Sequence, residues 1–296
     1  MTLDDLSAKP GLLNGQRILV TGGGTGLGRV MAEAFGLLGA EVVICGRRLA
    51  VLEQAATELS AQHGARVLPM ACDLRDADAV ATLVERIWCD AGPLTGLINN
   101  AAGNFVSRTE DITVRGFDAV ANTVFRGSFL VTLACGKRWL QEGCSASVLS
   151  IVTSWVWNGS AFAVPSAMSK AGVHAMTQSL AVEWGGRGIR LNAIAPGVFP
   201  TEGMNARLNP TGKSFDLIGQ NPMRRTGRMN ELANLAVFLM GPGVEYLNGQ
   251  TIAIDGGQYQ ASGGNFAALT RWTDDDWTQA RQAIEHANVA DRQHRG

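Results

Sequence analysis

The chain has 296 residues, 46% of them hydrophobic, which is enough for one large and well-buried core. Its 25 basic and 26 acidic residues balance, which argues against nucleic acid as the main partner. No uninterrupted apolar run approaches the roughly 18 residues of a membrane span, and Met1 to Asp5 lacks signal-peptide features. The five cysteines are scattered without a C-x-x-C pair, so neither disulfides nor a metal site is indicated. We expect a cytoplasmic protein that does not bind membranes.

Seven short apolar runs of the kind that form buried strands alternate with helical patterns along the chain. This alternation is typical of βαβ units, whose right-handed crossovers require parallel strands with helices on both faces. We therefore predict a single α/β domain built on a doubly wound parallel (Rossmann) sheet of about seven strands. The predicted strands are Arg17 to Thr21, Glu41 to Cys45, Arg66 to Ala71, Leu97 to Asn99, Ser147 to Ile151, Arg190 to Ala195 and Gln250 to Ile254.

The domain is expected to cover residues 1–260, with a substrate lid at about 200–228. That stretch is irregular and lies between the sixth strand and a predicted helix at 230–240, and loops of such length are usually functional. Residues 261–296 are expected to form an extension that packs on the same domain. Within it, Thr273 and the acidic residues 274–276 are typical of a helix start.

A glycine-rich segment follows the first strand and opens the first helix. In this position glycines let the backbone approach a pyrophosphate that rests on the helix N-terminus. The segment therefore predicts a dinucleotide site, although turns also use glycine. Its candidate cofactor-binding residues are Thr21, Gly22, Gly23, Gly24, Thr25, Gly26, Leu27 and Gly28.

The end of the second strand favours NADPH as the cofactor. An acidic residue there would bind the ribose hydroxyls of NADH, but the sequence has Arg47 and Arg48, which suit a 2′-phosphate. The alternative is that both arginines are merely solvated. Asp73, with Leu74 beside it, is placed to bind the adenine, although an ordinary helix cap would look the same.

Five motifs in order resemble the short-chain dehydrogenase/reductase family over nearly all of residues 14–260. They are Thr21-Gly22-x-x-x-Gly26-x-Gly28, Asn99-Asn100-Ala101-Ala102-Gly103, Lys170 on a helix, Pro196-Gly197 with Thr201 beyond, and Asp255-Gly256-Gly257. The resemblance implies that Lys170 binds the nicotinamide ribose and that subunits form homotetramers. It also implies that further cofactor contacts come from Asn100, Ala101, Ala102, Pro196, Gly197, Phe199 and Thr201.

Within that family, the chain most resembles the NADPH-dependent 2,4-dienoyl-CoA reductases. The four matching stretches are Asn99 to Phe105, 165–172, 181–185 and 207–212. This resemblance implies an acyl-CoA substrate, with Arg75 and Arg207 binding the coenzyme A portion and Phe105 near the substrate. Their alternative role is that of ordinary surface charges.

The ordinary catalytic positions of the family are substituted. Its mechanism uses a tyrosine four residues before the lysine, and this position is Ser166. The dienoyl-CoA reductases instead have a tyrosine fifteen residues before the lysine, and this position is Trp155. A helix asparagine of the family matches Arg126, and its usual serine matches Thr153.

Tyr246 and Tyr259, the only tyrosines, lie at neither proton-donor position. We hypothesise that Arg126 and Trp155, helped by Thr153 or Ser166, stabilise a dienolate formed by hydride addition to the conjugated thioester. In the alternative, Trp155 fills the pocket and Arg126 pairs with a carboxylate. The chain would then be a catalytically silent NADP(H)-binding subunit. A separate alternative is another short-chain reductase with an atypical proton donor.

Overall fold

The computed structural model describes residues 1–201, 218–262 and 266–294, and the side chains of the last helix up to residue 286. Most of the predicted lid at 200–228 and the predicted substrate residue Arg207 therefore lie outside the described residues.

The described residues form one seven-stranded parallel sheet in the order β3-β2-β1-β4-β5-β6-β7. This confirms the predicted doubly wound sheet, and every strand end lies within one residue of its prediction. Between β1 and β4 the strand order changes direction, with Val20 paired to Ile44 on one side and to Ile98 on the other. Ligands of such sheets bind at this switch point, beyond the carboxyl ends of the strands. The strands are β1 Arg17–Thr21, β2 Glu41–Gly46, β3 Val67–Ala71, β4 Gly96–Asn99, β5 Ala146–Ile151, β6 Ile189–Pro196 and β7 Thr251–Ile254.

Helices connect the strands and cover both faces of the sheet. Short 3₁₀ segments occur at Leu3–Asp5, Thr109–Asp111 and Ala267–Arg271. The α-helices are α1 Gly26–Leu37, α2 Leu49–His63, α3 Ala77–Asp90, α4 Val114–Ala121, α5 Gly127–Glu142, α6 Trp155–Asn158, α7 Val164–Gly185, α8 Met229–Met240, α9 Gln258–Ser262 and α10 Asp274–His294.

The core has a main cluster on each face of the sheet. On one face, α1, α2 and α8 bury side chains such as Phe35 and Leu232 against β1 and β2. On the other, α3, α5 and α7 bury Trp139, Val131 and Trp184. The indole N–H of Trp139 donates to the carbonyl of Leu94 at 2.6 Å, so this fully buried polar group is satisfied. These packed helices hold the strand ends rigidly where the site forms.

A π-helical turn at Asn122–Arg126 joins α4 and α5 into one helix over Val114–Glu142. By length and average hydropathy alone, this helix is able to cross a membrane, a feature that a search for uninterrupted apolar runs overlooks. In the fold, 44% of its most apolar window is buried, and α5 packs against α3 and β4. A core helix of a doubly wound sheet meets the same criterion.

The C-terminal extension contacts the domain through its first part. The guanidinium of Arg224 donates to the carbonyl of Thr270 at 3.0 Å, which joins Ala267–Arg271 to the segment before α8. In α10, the described side chains from 274 to 286 are exposed apart from Ala280. Trp277 contacts Trp272 edge to face, with ring centroids 4.8 Å apart. The 3₁₀ segment thus contacts the domain, while the described side chains of α10 are mostly exposed, and the packing of residues 261–296 as a whole stays a prediction.

Candidate active site

A cavity of about 780 Å³ opens beyond the carboxyl ends of the central strands. Its wall is built from the loops after β1, β4, β5, β6 and β7, because parallel strands all end at this edge of the sheet. Four of the five predicted catalytic residues line it, namely Thr153, Trp155, Ser166 and Lys170. Predicted cofactor residues that line it are Gly22, Thr25, Leu27, Asn100, Ala101, Ala102, Lys170, Pro196, Gly197 and Thr201.

Close packing within the protein requires glycine at two positions of the glycine-rich loop. A Cβ on Gly28 would lie 2.4 Å from both the Gly22 carbonyl oxygen and Asn100 Nδ2. Gly22 has a φ of +66°, and its Cβ would lie 3.1 Å from the Cα of Ala101. The backbone is thus as close-packed as a pyrophosphate cradle at a helix N-terminus requires. The residues present fit a dinucleotide.

Thr21 and Asn100 tie the glycine loop to the end of β4. The Thr21 hydroxyl donates to the Ile98 carbonyl at 3.1 Å and accepts from the backbone N–H groups of Asn100 and Ala101. The Asn100 amide donates to the Thr21 carbonyl at 2.9 Å. Thr21 is itself buried, so its contribution is to fix the loop rather than to face the cavity.

Lys170 is the one ammonium in the cavity wall that the structure describes. It lies on α7, is only 7% exposed, and donates to the backbone carbonyl of Ile151 at the end of β5. Burial lowers the pKa of Lys170 from 10.5 to about 8, because the charged form has lost most of its water. A buried cation held by a backbone carbonyl suits a polar ligand such as a ribose hydroxyl.

Hydroxyl and indole groups line the same cavity as this lysine. Ser166 lies one helical turn before Lys170 on α7 and is buried, while Thr153 follows β5. Trp155 begins the short helix α6 and is half-buried. The cavity therefore combines one cation with several neutral hydrogen-bond donors, which can stabilise an oxyanion without ionising.

Arg126 is the predicted catalytic residue that does not line the cavity. Its exposed guanidinium donates to the backbone carbonyl of Arg75, on the β3 side of the fold. The π-helical turn explains this placement, because its wider turn changes which residues face inward, and Val124 is the fully buried one. The predicted dienolate role of Arg126 stays a prediction, which this position outside the cavity wall does not support. Its alternative pairing with a carboxylate is not seen among the described residues either.

Asp73 and Arg75 bind each other. The Arg75 guanidinium contacts both carboxylate oxygens of Asp73, at 2.5–3.0 Å. This hydrogen bond to Arg75 holds the pKa of Asp73 below its ordinary value. The helix cap of α3 comes from Asp76, so the capping alternative for Asp73 is excluded. The paired Asp73 carboxylate and Arg75 guanidinium keep further acceptor and donor capacity, so the predicted adenine and coenzyme A contacts stay predictions.

The other predicted binding residues lie around the cavity rather than in its wall. Arg47 and Arg48 are exposed at the end of β2, where a 2′-phosphate would be reached. Leu74 and Phe199 are buried in the core, so their side chains are not available to a ligand. Phe105 is half-buried against α4, although Asn104 and Val106 beside it line the cavity. Within the glycine segment, Gly23 packs near Ile44, Gly24 near Leu52 and Gly26 near Thr201.

Several residues that the sequence interpretation did not select also line the cavity, among them Asn158, Tyr259 and Ser262. Asn158 ends α6, and Tyr259 and Ser262 lie on α9 just after β7. Tyr259 matches neither proton-donor position of the family. The sequence signal that could have identified Tyr259 is its position directly after the last strand. The carboxyl ends of parallel strands meet at one edge of the sheet, where the cavity lies.

Comparison with known proteins gives the class. The family model described as enoyl-(acyl carrier protein) reductase matches residues 22–259. An uncharacterized oxidoreductase of Caenorhabditis elegans is 42% identical over 281 residues, covering 93% of this chain and 90% of that protein. A protein of the same organism named a probable 2,4-dienoyl-CoA reductase, (3E)-enoyl-CoA-producing, is 38% identical over 283 residues, covering 93% and 91%.

Solved structures agree. A short chain dehydrogenase from Bacillus anthracis has a TM-score of 0.75 and 38% identity over 82% of this chain and 96% of its own. A variant of actinorhodin polyketide ketoreductase, solved with NADPH, has a TM-score of 0.78 and 27% identity over 85% and 99%. The chain belongs to the short-chain dehydrogenase/reductase family. It is an oxidoreductase of the class that uses a nicotinamide cofactor.

Proposed function

We propose that the chain is an NADPH-dependent 2,4-dienoyl-CoA reductase. The observation that carries the proposal is the polar set around Lys170: Ser166 stands where an alcohol dehydrogenase of this family needs its tyrosine, and the wall otherwise offers neutral donors. Such donors suit charge that develops on a thioester oxygen better than they suit proton delivery to an alkoxide. The resemblance to relatives with this printed activity supports the same substrate class.

The proposed cofactor is NADPH, which when bound would supply the hydride. The glycine loop, Asn100 and Lys170 would hold it, and Arg47 and Arg48 would bind the 2′-phosphate. The end of β2 supports NADPH over NADH because no carboxylate is present there. The residues at this point are Cys45, Gly46 and the two arginines.

We assign the oxyanion contact to Trp155, with Thr153 or Ser166 as the second donor. The indole N–H donates and does not ionise, so it holds negative charge on the thioester oxygen without transferring its proton. Buried Lys170 adds a positive charge whose field is little screened there. Solvent entering the open side of the cavity would then protonate carbon.

Replacing Trp155 with phenylalanine tests this assignment. W155F removes the donor and keeps an aromatic ring, so we expect kcat with a 2,4-dienoyl-CoA to fall roughly 100- to 1000-fold, the usual loss for one oxyanion donor. Trp272→Phe, on the C-terminal extension outside the cavity wall, is the matched control. An unchanged kcat in W155F would remove Trp155 from the mechanism.

A silent NADP(H)-binding subunit is the second candidate, favoured by the position of Arg126 outside the cavity wall. Ser166 and Trp155 occupy the two tyrosine positions of the family. Because Arg126 lies outside the described wall, its guanidinium is not available there as the charged donor that the sequence suggests. NADPH binding measured by calorimetry, without NADPH consumption on dienoyl, enoyl and keto thioesters, would select this candidate.

We also propose a homotetramer in the cytoplasm. Large apolar side chains are exposed on the joined helix and α7, namely Phe125, Phe129, Met168 and Val182, and such patches usually mark subunit contacts. All five cysteines are free thiols, which suits a reducing compartment. Light scattering after size exclusion tests the assembly, and replacing Phe129 with aspartate is expected to dissociate it.

A further inference from the structure

The far wall of the cavity is formed by the residues after β7. Tyr259 lies on α9 and lines the cavity together with Gln258 and Ser262. Asp255 holds this turn, because its carboxylate accepts from the backbone N–H groups of Gly257 and Tyr259 at 2.9 and 2.8 Å. Tyr259 and Trp155 are the aromatic side chains of the cavity wall in the described ranges.

A second tryptophan supports the Tyr259 ring. Trp157, on α6, contacts it with ring centroids 4.7 Å apart and planes tilted by 38°. His174 packs its edge against Trp157 at 6.4 Å and is hydrogen-bonded to the Thr251 hydroxyl of β7 at 2.9 Å. Burial lowers the pKa of His174, so the ring that completes this stack is neutral at physiological pH. The stack therefore connects the rigid sheet to the cavity wall.

A hydrogen bond joins the same two helices at the cavity surface. The side chains of Asn158 and Ser262 lie 3.1 Å apart in either orientation of the asparagine amide. α6 and α9 are thus connected twice, once by stacked rings and once by a polar contact. This arrangement limits the freedom of Tyr259, and a rigid aromatic surface binds a flat ligand at low entropic cost.

We propose that Tyr259 is a specificity-determining residue whose ring, supported by Trp157, packs against the conjugated acyl chain of the substrate. The inference rests on the proposed dienoyl-CoA reductase function and adds the residue that selects the acyl group. A conjugated dienoyl thioester is flat, apolar and polarisable, so an aromatic face favours it over a saturated chain. The Tyr259 hydroxyl has no hydrogen-bond partner in the described part of the chain, which places the contribution in the ring.

The experiment compares Tyr259→Ala and Tyr259→Phe with the wild type and with Tyr246→Ala. Tyr246 is the other tyrosine of the chain, is fully exposed and lies outside the cavity wall, so it is the matched control. For each protein, KM and kcat are measured with 2,4-hexadienoyl-CoA and 2,4-decadienoyl-CoA. Calorimetry gives the affinity for the same thioesters in the presence of NADP⁺, where no turnover occurs.

For Tyr259→Ala we expect KM and the dissociation constant of the dienoyl thioesters to rise about tenfold, as loss of one stacked ring implies, with KM for NADPH unchanged. Tyr259→Phe keeps the ring, so its values should stay within about twofold of the wild type. Unaltered affinity in Tyr259→Ala would overturn the inference. A large kcat loss in Tyr259→Phe would also overturn it, because the hydroxyl and not the ring would then matter.

Failure of the proposed function gives a different pattern. A wild type that binds the thioesters with NADP⁺ but does not consume NADPH contradicts the reductase proposal, and the binding comparison alone then decides the role of Tyr259. A wild type that neither binds nor reduces them contradicts both proposals.

Discussion

Replacing Gly28 with alanine should disrupt the cofactor cradle. The added Cβ would lie 2.4 Å from the Gly22 carbonyl oxygen and from Asn100 Nδ2, more than 1 Å closer than the roughly 3.5 Å of ordinary van der Waals contact. One of the two obstructing atoms belongs to the backbone, so no side-chain rotation relieves the overlap. The loop has to move away from α1, and the hydrogen bond from Asn100 to the Thr21 carbonyl at 2.9 Å is strained or lost.

The expected free energy loss is about 3 kcal/mol. Overpacking a close-packed site costs roughly 1–3 kcal/mol, and a lost hydrogen bond adds about 1 kcal/mol. The cofactor effect is separable from this loss. NADPH at a hundred times its dissociation constant stabilises a protein by about 2.7 kcal/mol, and a hundredfold weaker site would reduce this to about 0.4 kcal/mol. We therefore expect Gly28→Ala to lose nearly all of its NADPH-dependent stabilisation.

Urea denaturation with and without NADPH measures both effects. Gly186→Ala is the matched control, because Gly186 is exposed, has an α-helical φ of −66°, and has nothing within 4 Å of its added Cβ. If Gly28→Ala bound NADPH as tightly as the wild type does, the assignment of this loop as the pyrophosphate cradle would be refuted.

Three further predictions concern charge and burial. Because burial lowers the folded-state pKa of Lys170 to about 8 from 10.5, the unfolded chain holds more protons between these values. We compare the unfolding free energy of the cofactor-free wild type with that of Lys170→Met by urea titration. The difference between the two proteins should rise by up to about 3 kcal/mol as the pH increases from about 8 to 10.5. A difference that does not depend on pH would contradict this prediction. Replacing Arg47 and Arg48 together with alanine should weaken NADPH binding about 10- to 100-fold in calorimetry while leaving NADH nearly unchanged, whereas equal loss for both cofactors would argue against a 2′-phosphate contact. Trp139→Phe leaves the Leu94 carbonyl without its 2.6 Å donor and should destabilise the fold by about 2 kcal/mol by thermal unfolding, with wild-type stability as the contrary result.

The sheet could be predicted from the sequence because its strands are buried on both faces. Such strands are continuous apolar runs, as in Glu41–Gly46, and the helices between them force parallel pairing. The glycine loop was equally predictable, since its chemistry depends on the absence of side chains at consecutive positions after a strand. These features are local, and their meaning does not depend on distant residues.

The positions of several site residues depend on geometry that sequence spacing does not encode. Arg126 matches a catalytic position by number, but a π-helical turn alters the helix face just there. Asp73 and Arg75 each suit a ligand, yet they are two residues apart in a turn and bind each other first. Tyr259 reaches the cavity through the order of strands in space, which no short motif contains.

The most direct test mixes the purified protein with NADPH and 2,4-hexadienoyl-CoA and follows the near-ultraviolet absorbance of NADPH. The account predicts that absorbance is lost, with one NADPH consumed for each thioester reduced, and that product analysis shows an enoyl-CoA. Stable absorbance in the presence of demonstrated NADPH binding would contradict the proposed 2,4-dienoyl-CoA reductase.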